Sequence, residues 1–302
     1  MPLFTIVIPC RDAADILPAA LASLRAQTWT DWEAICVEAG SSDDTAEVID
    51  RVARTDPRVR RIRPEGTAPG GAALARNAGA LAARGEVIAF LDAADRWAPE
   101  RLARLADRFA EADAPDVVFG SVRADETPAH PAAPIPAALK AERRARDRGL
   151  PGVTDALRRA PACAPSNIAL RRAAFQRIGG FDSRLAAAAD IEWAVRVLAG
   201  AERAAMAPGA VALIAARGAL GPAQMRAVLR GWREAVETAR ILGVAPGAEA
   251  LAFAEAQLRR GLAARALRGG GAAAALGIAA LGLLRSPLGF LATAETARAQ
   301  VA

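Results

Sequence analysis

The sequence is poor in several residue types that carry common chemistries. It has no tyrosine, one histidine and three cysteines in 302 residues, and aromatic side chains make up 4%. Cys10, Cys36 and Cys163 show no Cys-x-x-Cys spacing, so neither a disulfide framework nor a zinc site is predicted, and a reduced, cytoplasmic compartment is favoured. His130 has no Cys, Asp or Glu at ligand spacing and is expected to be an exposed loop residue.

Several sequence signals are also missing. There is no Gly-x-Gly-x-x-Gly or Gly-Lys-Ser/Thr loop, which disfavours dinucleotide oxidoreductases and P-loop enzymes. The first 15 residues have no basic region before a short apolar run, so they predict a first strand and not a signal peptide. Residues 269–284 are uncharged. They fall short of the ~20 apolar residues that a membrane span needs, and they favour a buried or membrane-surface helix over a transmembrane one.

Positive charge is in excess, and arginine supplies almost all of it. The net charge is +6, and Lys140 is the single lysine. This bias indicates a solvated arginine-rich surface, with a surface that meets anionic lipid or nucleotide as the alternative. Nucleic acid is not an expected partner.

The first 125 residues alternate short apolar runs with helical patterns. The predicted strands are 4–9, 34–38, 59–63, 87–92 and 116–122. The predicted helices between them are 15–27, 43–54, 71–83 and 99–110. This alternation predicts an α/β fold with a mainly parallel central sheet and helices on both faces.

The remainder of the chain predicts a loop, one more strand and a helical end. Four prolines between residues 127 and 136 predict a loop leading into a helix, and Ser166–Arg171 reads as a strand. Beyond Pro222 the pattern is helical, with breaks at 243–247, 269–271 and 286–287. We therefore expect a first domain over residues 1–217 and a C-terminal helical region over 218–302.

Polar residues lie at the ends of three predicted strands, at 9–12, 38–44 and 92–95. A fourth polar pair, at 76–77, lies near the start of the predicted helix 71–83. In parallel sheets, ligands bind at the carboxyl ends of the strands. Helix N-termini and an arginine suit phosphate, while carboxylates suit ribose, base donors or a divalent metal. These residues therefore indicate a site for a phosphorylated ligand.

These motifs in their order resemble the family 2 glycosyltransferases of the GT-A fold. The resemblance runs over residues 3–200, through TIVIPCRDAAD, VEAGSSDDT, ALARNAGA, FLDAADRW and RRAAFQRIGGFD. It implies sugar transfer from a nucleotide-diphosphate donor to a hydroxyl acceptor, with inversion at the anomeric carbon and with Mg²⁺ or Mn²⁺. A cell-envelope glycan or a lipid-linked acceptor would be the partner, at the inner face of the membrane.

The resemblance assigns four residues to the donor. Pro9 would line the nucleoside pocket, and Arg11-Asp12 stands after it in place of the family's usual Tyr-Asn. Glu38 stands where the family has its first aspartate and would accept a hydrogen bond from the base. Arg76 would lie near the diphosphate, and Asp92 near the ribose.

The resemblance also places the metal ligand and the general base, at motifs that depart from the family. Ala94 occupies the position of the usual metal-binding acid, which leaves Asp95 as the metal ligand. The usual Glu-Asp pair is Ala189-Asp190 here, so Asp190 matches the base that takes the acceptor proton. Ala39 replaces a third acid.

Purely structural roles for the same residues remain as alternatives. Asp92 and Asp95 could cap the following helix, and Arg76 could be a surface residue of a first helical turn. Asp190 could be a helix acid paired with Arg184 or Arg196. Trp97 and Trp193 are either packing residues or sugar platforms.

Three functions fit the pattern at this point. The first is an inverting glycosyltransferase. The second is a catalytically degenerate GT-A domain that binds a nucleotide sugar or a protein partner. The third is a nucleotidyltransferase, which the missing glycine-rich phosphate loop disfavours.

Overall fold

A computed structural model describes residues 3–64, 71–125, 149–185, 187–216 and 218–291. The proline-rich loop predicted around His130 lies outside these residues. The chain divides into two compact units, the first within residues 1–150, 161–183 and 200–216 and the second within 151–160, 184–199 and 217–302. The boundary predicted between residues 217 and 218 stays a prediction.

The first unit contains an eight-stranded sheet. Its strands are β1 (Phe4–Cys10), β2 (Trp32–Glu38), β3 (Val59–Ile62), β4 (Val87–Phe90), β5 (Arg96–Trp97), β6 (Val117–Asp125), β7 (Ile168–Arg171) and β8 (Ala204–Ala215). Their order across the sheet is β3-β2-β1-β4-β7-β6-β8-β5.

The first four strands in sequence form a parallel half of this sheet. β1 pairs in parallel with β2 and β4, and β2 pairs in parallel with β3. β7 then runs antiparallel to both β4 and β6, which makes the whole sheet mixed. β1, β2 and β4 are almost entirely buried, because helices cover both faces of a parallel sheet.

Five helices of the first unit cover these faces. They are α1 (Leu17–Arg25), α2 (Thr45–Thr55), α3 (Ala72–Leu81), α4 (Arg101–Ala110) and α6 (Arg172–Ile178). Apolar residues of α1, α2 and α4 share one core cluster with Phe4, Ile6 and Ile8 of β1. On the other face, α3 lies so close to the sheet that a Cβ atom at Gly79 would meet Val7 at 2.3 Å. The predicted α/β fold with helices on both faces is confirmed.

Two strands of the sheet were not predicted. β8 has the sequence AAMAPGAVALIA, in which alanine, proline and glycine have low strand propensity. Its pairing with β6 shifts register after Gly120, so the period of two is interrupted. β5 has only two residues, too few for any pattern. Ser166 precedes β7 and lies in a single 3-10 turn, Pro165–Asn167.

The described part of the second unit is helical. It consists of α5 (Val153–Leu157), most of α7 (Ala189–Gly200), α8 (Pro222–Ile241), α9 (Ala248–Arg268), α10 (Ala272–Arg285) and α11 (Pro287–Leu291). The helix breaks predicted at 243–247, 269–271 and 286–287 are confirmed. Among the described residues, every helix is too short or too polar to cross a bilayer.

Candidate functional site

Three of the predicted site residues meet at one edge of the sheet. β1, β2 and β4 are parallel neighbours, so the loops that follow them leave the sheet on the same side. Pro9 lies in β1 opposite Val37, and Glu38 ends β2 opposite Cys10. Asp92 follows β4 by two residues. The predicted gathering of polar residues at the carboxyl edge is therefore present.

Side-chain hydrogen bonds join the loops that follow β1 and β2. Asp12 Oδ1 accepts hydrogen bonds from the Ser42 amide at 2.8 Å and its hydroxyl at 3.0 Å. In the reverse direction, Asp43 Oδ2 accepts a bond from the Ala14 amide at 2.9 Å. Asp12 has a φ of 46°, in the left-handed region that few non-glycine residues adopt. Asp12 therefore shapes this edge by holding the two loops together.

Glu38 is buried at the base of the loop that follows β2. Its Oε1 accepts a hydrogen bond from the Ser41 amide at 2.5 Å, and its Oε2 lies 3.5 Å from Arg63 Nε. Burial raises the pKa of Glu38, but the hydrogen bonds from Ser41 and Gly40 and the charge of Arg63 outweigh it, so the net pKa is lowered. Glu38 is therefore a carboxylate in the folded protein at neutral pH.

Arg76 and Asp92 form an ion pair beside this edge. Arg76 lies on α3, and its terminal nitrogen donates to Asp92 Oδ1 at 2.5 Å. The Arg76 side chain is 7% exposed, so it is not a surface residue, whereas that of Asp92 is 35% exposed. The guanidinium also lies 5.1 Å from the centre of the Phe181 ring. Arg76 Nε has no hydrogen-bond partner among the described residues, which leaves one buried donor for a ligand.

Asp95 is held from two sides by neutral donors. Its Oδ2 accepts a hydrogen bond from the Ser166 hydroxyl at 2.6 Å, and its Oδ1 accepts one from the Ala215 amide at 2.9 Å. The N-cap of α4 is Glu100, and no side chain caps that helix. The interpretation of Asp92 and Asp95 as helix caps is therefore wrong.

The carboxylates at this edge fit a divalent cation only in part. No group of three or more His, Cys, Asp or Glu residues at metal-binding separation occurs in the part of the chain that the structure describes. Asp92 already pairs with Arg76, and both oxygens of Asp95 already accept hydrogen bonds. Mg²⁺ is commonly held by one or two carboxylates together with substrate phosphates and water. The residues present fit a cation of that substrate-held kind.

Asp190 belongs to the second unit, where an arginine binds it. Arg159 donates from Nε at 3.0 Å and from a terminal nitrogen at 2.7 Å, both to Asp190 Oδ2. Arg159 has a φ of 59°, and Ala188, two residues before Asp190, has a φ of 66°. Arg196 pairs with Glu192. Backbone strain of this kind persists only where the surrounding structure over-determines it, and it clusters at functional sites.

Sequence patterns missed three residues that hold these side chains. Ser166, Arg101 and Arg159 contact the predicted site residues or their supports, yet none stands in a recognisable motif. Trp97 and Trp193 are fully buried, which identifies them as packing residues and not as sugar platforms.

Comparison with known proteins identifies the family. A model of glycosyl transferase family 2 matches residues 5–179, more than half of the chain. An uncharacterized glycosyltransferase of Nostoc sp. is 38% identical over 109 residues, which cover 36% of this chain and 33% of that protein. TuaG of Bacillus subtilis, named for teichuronic acid biosynthesis, is 32% identical over 33% of this chain and 39% of its own length. The match thus spans about a third of the length of these curated relatives.

Solved structures show the same fold. TarS 1–349 of S. aureus in complex with UDP is 16% identical with a TM-score of 0.57, covering 91% of this chain and 88% of that one. The mannosyltransferase PcManGT of Pyrobaculum calidifontis, in complex with GDP-Man and Mn²⁺, is 22% identical with a TM-score of 0.55, covering 92% and 75%. These likenesses confirm the expected GT-A fold. With the sheet, the motif order and the family model in agreement, the chain belongs to glycosyl transferase family 2.

Proposed function

We propose that this protein transfers a sugar from a nucleotide-diphosphate donor to a hydroxyl group of a cell-envelope glycan or a lipid-linked acceptor. The observation that carries the proposal is the Arg76–Asp92 pair at the carboxyl edge of the sheet, where a buried guanidinium keeps one unpartnered donor. A diphosphate oxygen would accept a hydrogen bond from that donor, and Asp92 would accept one from a ribose hydroxyl. Pro9 and Glu38 line the same edge and would hold the nucleoside.

The chemical step would be an inverting displacement with Asp190 as general base. The acceptor hydroxyl gives its proton to Asp190, and its oxygen attacks the anomeric carbon on the face opposite the diphosphate. The bond from that carbon to the diphosphate oxygen breaks, and the nucleoside diphosphate leaves. Two hydrogen bonds from Arg159 to Asp190 Oδ2 would hold this carboxylate in position for the proton transfer.

A divalent cation, Mg²⁺ or Mn²⁺, belongs to the same proposal. When bound, it would neutralise charge that develops on the departing diphosphate. Asp95 is the proposed protein ligand, with Asp92 next to it and the donor phosphates supplying further oxygens. The proposed donor and cation have counterparts in the mannosyltransferase named above, which was solved with GDP-Man and Mn²⁺.

The test is nucleotide release from a panel of UDP-, GDP- and dTDP-sugars, with and without Mn²⁺. Nucleotide release that requires a lipid extract as the source of acceptor, and that is lost in Asp190→Asn, would support the transferase function. Asp107→Asn on α4 is the matched control, because it neutralises an aspartate outside the proposed site. An Asp190→Asn variant that keeps full turnover would contradict the assignment of the base.

A second candidate is a GT-A domain that binds a nucleotide sugar without turnover. Ala94 at the expected acid and the prior hydrogen bonds of Asp95 favour it. The Ala94→Asp variant separates the two functions. A large gain in Mn²⁺-dependent release would show that the native site lacks a metal ligand, whereas binding of donors without release by either protein would favour the binding domain.

The second unit supports a membrane-surface location as part of this proposal. On α10, Leu276 is 70% exposed and Leu284 is 81% exposed, and no charge occurs from Ala272 to Leu284. Residues 248–291 carry five arginines against two glutamates. Exposed leucines on a segment with net positive charge suit the surface of an anionic bilayer. We propose that the protein acts in the cytoplasm at the inner face of the cell membrane.

Sedimentation with vesicles tests this location. Vesicles that contain phosphatidylglycerol should pull down the protein, and vesicles of phosphatidylcholine alone should retain less of it. The Leu276→Gln and Leu284→Gln double variant should lose this binding. Leu81→Gln, at a leucine that is 85% exposed in the first unit, is the control. Equal binding by all variants would exclude α10 as the contact.

A further inference from the structure

Ser166 joins both ends of the loop that carries the two candidate carboxylates. It is fully buried in the turn before β7. Its hydroxyl accepts a hydrogen bond from the Asp92 amide at 3.0 Å and donates one to Asp95 Oδ2 at 2.6 Å. The Asp95 amide also donates to the Asp92 carbonyl at 2.9 Å. One hydroxyl therefore fixes the separation of Asp92 and Asp95.

The core holds Ser166 itself in place. Its carbonyl accepts bonds from Trp97 Nε1 at 3.0 Å and from a terminal nitrogen of Arg101 at 3.1 Å. Trp97 and Arg101 are fully buried, and Arg101 also donates to the Ala210 carbonyl on β8 at 2.5 Å. Because two fully buried side chains hold its carbonyl, the Ser166 backbone is fixed relative to the core, and its hydroxyl is directed at the Asp92–Asp95 loop.

Arg101 is an unusual support, because no carboxylate forms an ion pair with it in the described structure. Its acceptors are the carbonyls of Ser166 and Ala210 and the side-chain oxygen of Asn167. Burial lowers the pKa of Arg101 to about 9, so the group is still a cation at neutral pH. A buried cation costs stability that a hydrophobic residue would not. Its presence below the loop is consistent with a positioning role.

We propose that Ser166 is a positioning residue of the donor site, which holds the Asp92–Asp95 loop in the shape that the nucleotide diphosphate and its cation require. The inference rests on the proposed function. Ala94 leaves this loop without its usual middle acid, so the placement of the two remaining carboxylates matters more. A misplacement of about 1 Å in such a site costs roughly 100-fold in rate.

The test compares two buried serines. In Ser166→Ala, we expect the KM for the donor and the Mn²⁺ concentration for half-maximal release to rise roughly 10-fold or more. Ser23→Ala is the matched control, because the Ser23 hydroxyl is also buried, accepts from the Trp97 amide at 3.2 Å and donates to the Ala20 carbonyl at 2.7 Å. The Ser23→Ala variant should lose about as much thermal stability as Ser166→Ala, but its KM for the donor should equal that of the wild type.

A conservative variant covers the case in which Ser166→Ala does not fold. Ser166→Cys keeps nearly the same volume, and its thiol is a weak donor, so its KM should lie between wild type and Ser166→Ala. A KM and an Mn²⁺ midpoint equal to those of Ser23→Ala in Ser166→Ala, or in Ser166→Cys if Ser166→Ala does not fold, would overturn the proposal.

The outcomes distinguish this proposal from the proposed function. The wild type could bind UDP, GDP or dTDP with Mn²⁺ but release no nucleotide from any sugar donor. The proposed transferase function would then be wrong, and the positioning role of Ser166 would be tested by nucleotide binding. Weaker nucleotide binding in Ser166→Ala than in Ser23→Ala then supports positioning, and equal binding overturns it. A wild type that binds no nucleotide would overturn both.

Discussion

The Arg76–Asp92 pair gives the sharpest energetic prediction. Removing either partner leaves the other at a mostly buried position, and a hydrogen bond to a charged group contributes about 1.5–3 kcal/mol. Because Asp92 is 35% exposed, solvent screens the pair, and we expect a coupling energy of about 1–2 kcal/mol in a cycle of Arg76→Met and Asp92→Ala. Arg76→Met alone should cost more than this coupling, since it also loses the Phe181 ring.

Native-state hydrogen exchange is the assay, because it reads the first unit separately from the second. The Leu91 amide is the probe, since it donates to the Val7 carbonyl between β4 and β1 at 3.0 Å. Its opening free energy in the four proteins of the cycle gives the coupling. A coupling energy below about 0.5 kcal/mol, the usual error of additivity, would mean that Arg76 and Asp92 contribute to stability independently.

Nucleotide then reports on function in the same variants. At about 100 times its Kd, a bound nucleoside diphosphate should stabilise the wild type by about 2.7 kcal/mol, and Arg76→Met should lose most of that gain. Arg58→Met is the control, because Arg58 likewise pairs with an aspartate and stacks on a tryptophan ring, at 2.8 Å and 3.9 Å. Equal stabilisation of Arg58→Met and Arg76→Met by nucleotide would exclude Arg76 from the donor site.

Three further predictions follow from other parts of the structure. Gly120→Ala should destabilise the first unit by about 1–3 kcal/mol in a urea titration, because a Cβ atom there would lie 2.2 Å from the Ala210 carbonyl oxygen; an unchanged midpoint would show that β8 yields easily. Burial raises the pKa of Asp116, but hydrogen bonds from two amides and an arginine outweigh it, and the net pKa is lowered. Its stabilising contribution is therefore present at neutral pH and lost as the pH falls through the lowered pKa, so the stability deficit of Asp116→Asn should shrink below about pH 3.8. A deficit that is constant from pH 7 to pH 3 would contradict this. Arg159→Gln should lower kcat/KM by up to about 100-fold, because Asp190 loses the two hydrogen bonds that hold its carboxylate in place; an unchanged kcat/KM would separate Arg159 from the base.

Much of the fold could be predicted because burial imposes periodicity on the sequence. The five strands predicted in the first 125 residues occur within two or three residues of their predicted ends, as the helices between them do. The alanine-rich strand β8 was not predicted, because its pairing depends on β6 and on a register shift, and neither produces a local sequence pattern. The positions of Glu38 and Asp92 at the carboxyl edge were predictable because these residues end or follow strands, whereas Arg76 lies on α3 and is beside this edge through its pair with Asp92.

The α/β class, the order of the family motifs and the identity of the residues at the strand ends could all be read from local sequence patterns. The spacing of apolar residues and the order of motifs are visible in short stretches of sequence, so they can be predicted without the fold. The partners of these residues became known from the three-dimensional contacts: Arg76 pairs with Asp92, Arg159 pairs with Asp190, and Ser166 bonds both Asp92 and Asp95. Ser166 is 74 residues from Asp92 along the chain. Such contacts depend on the packing of whole elements, which no short stretch of sequence specifies.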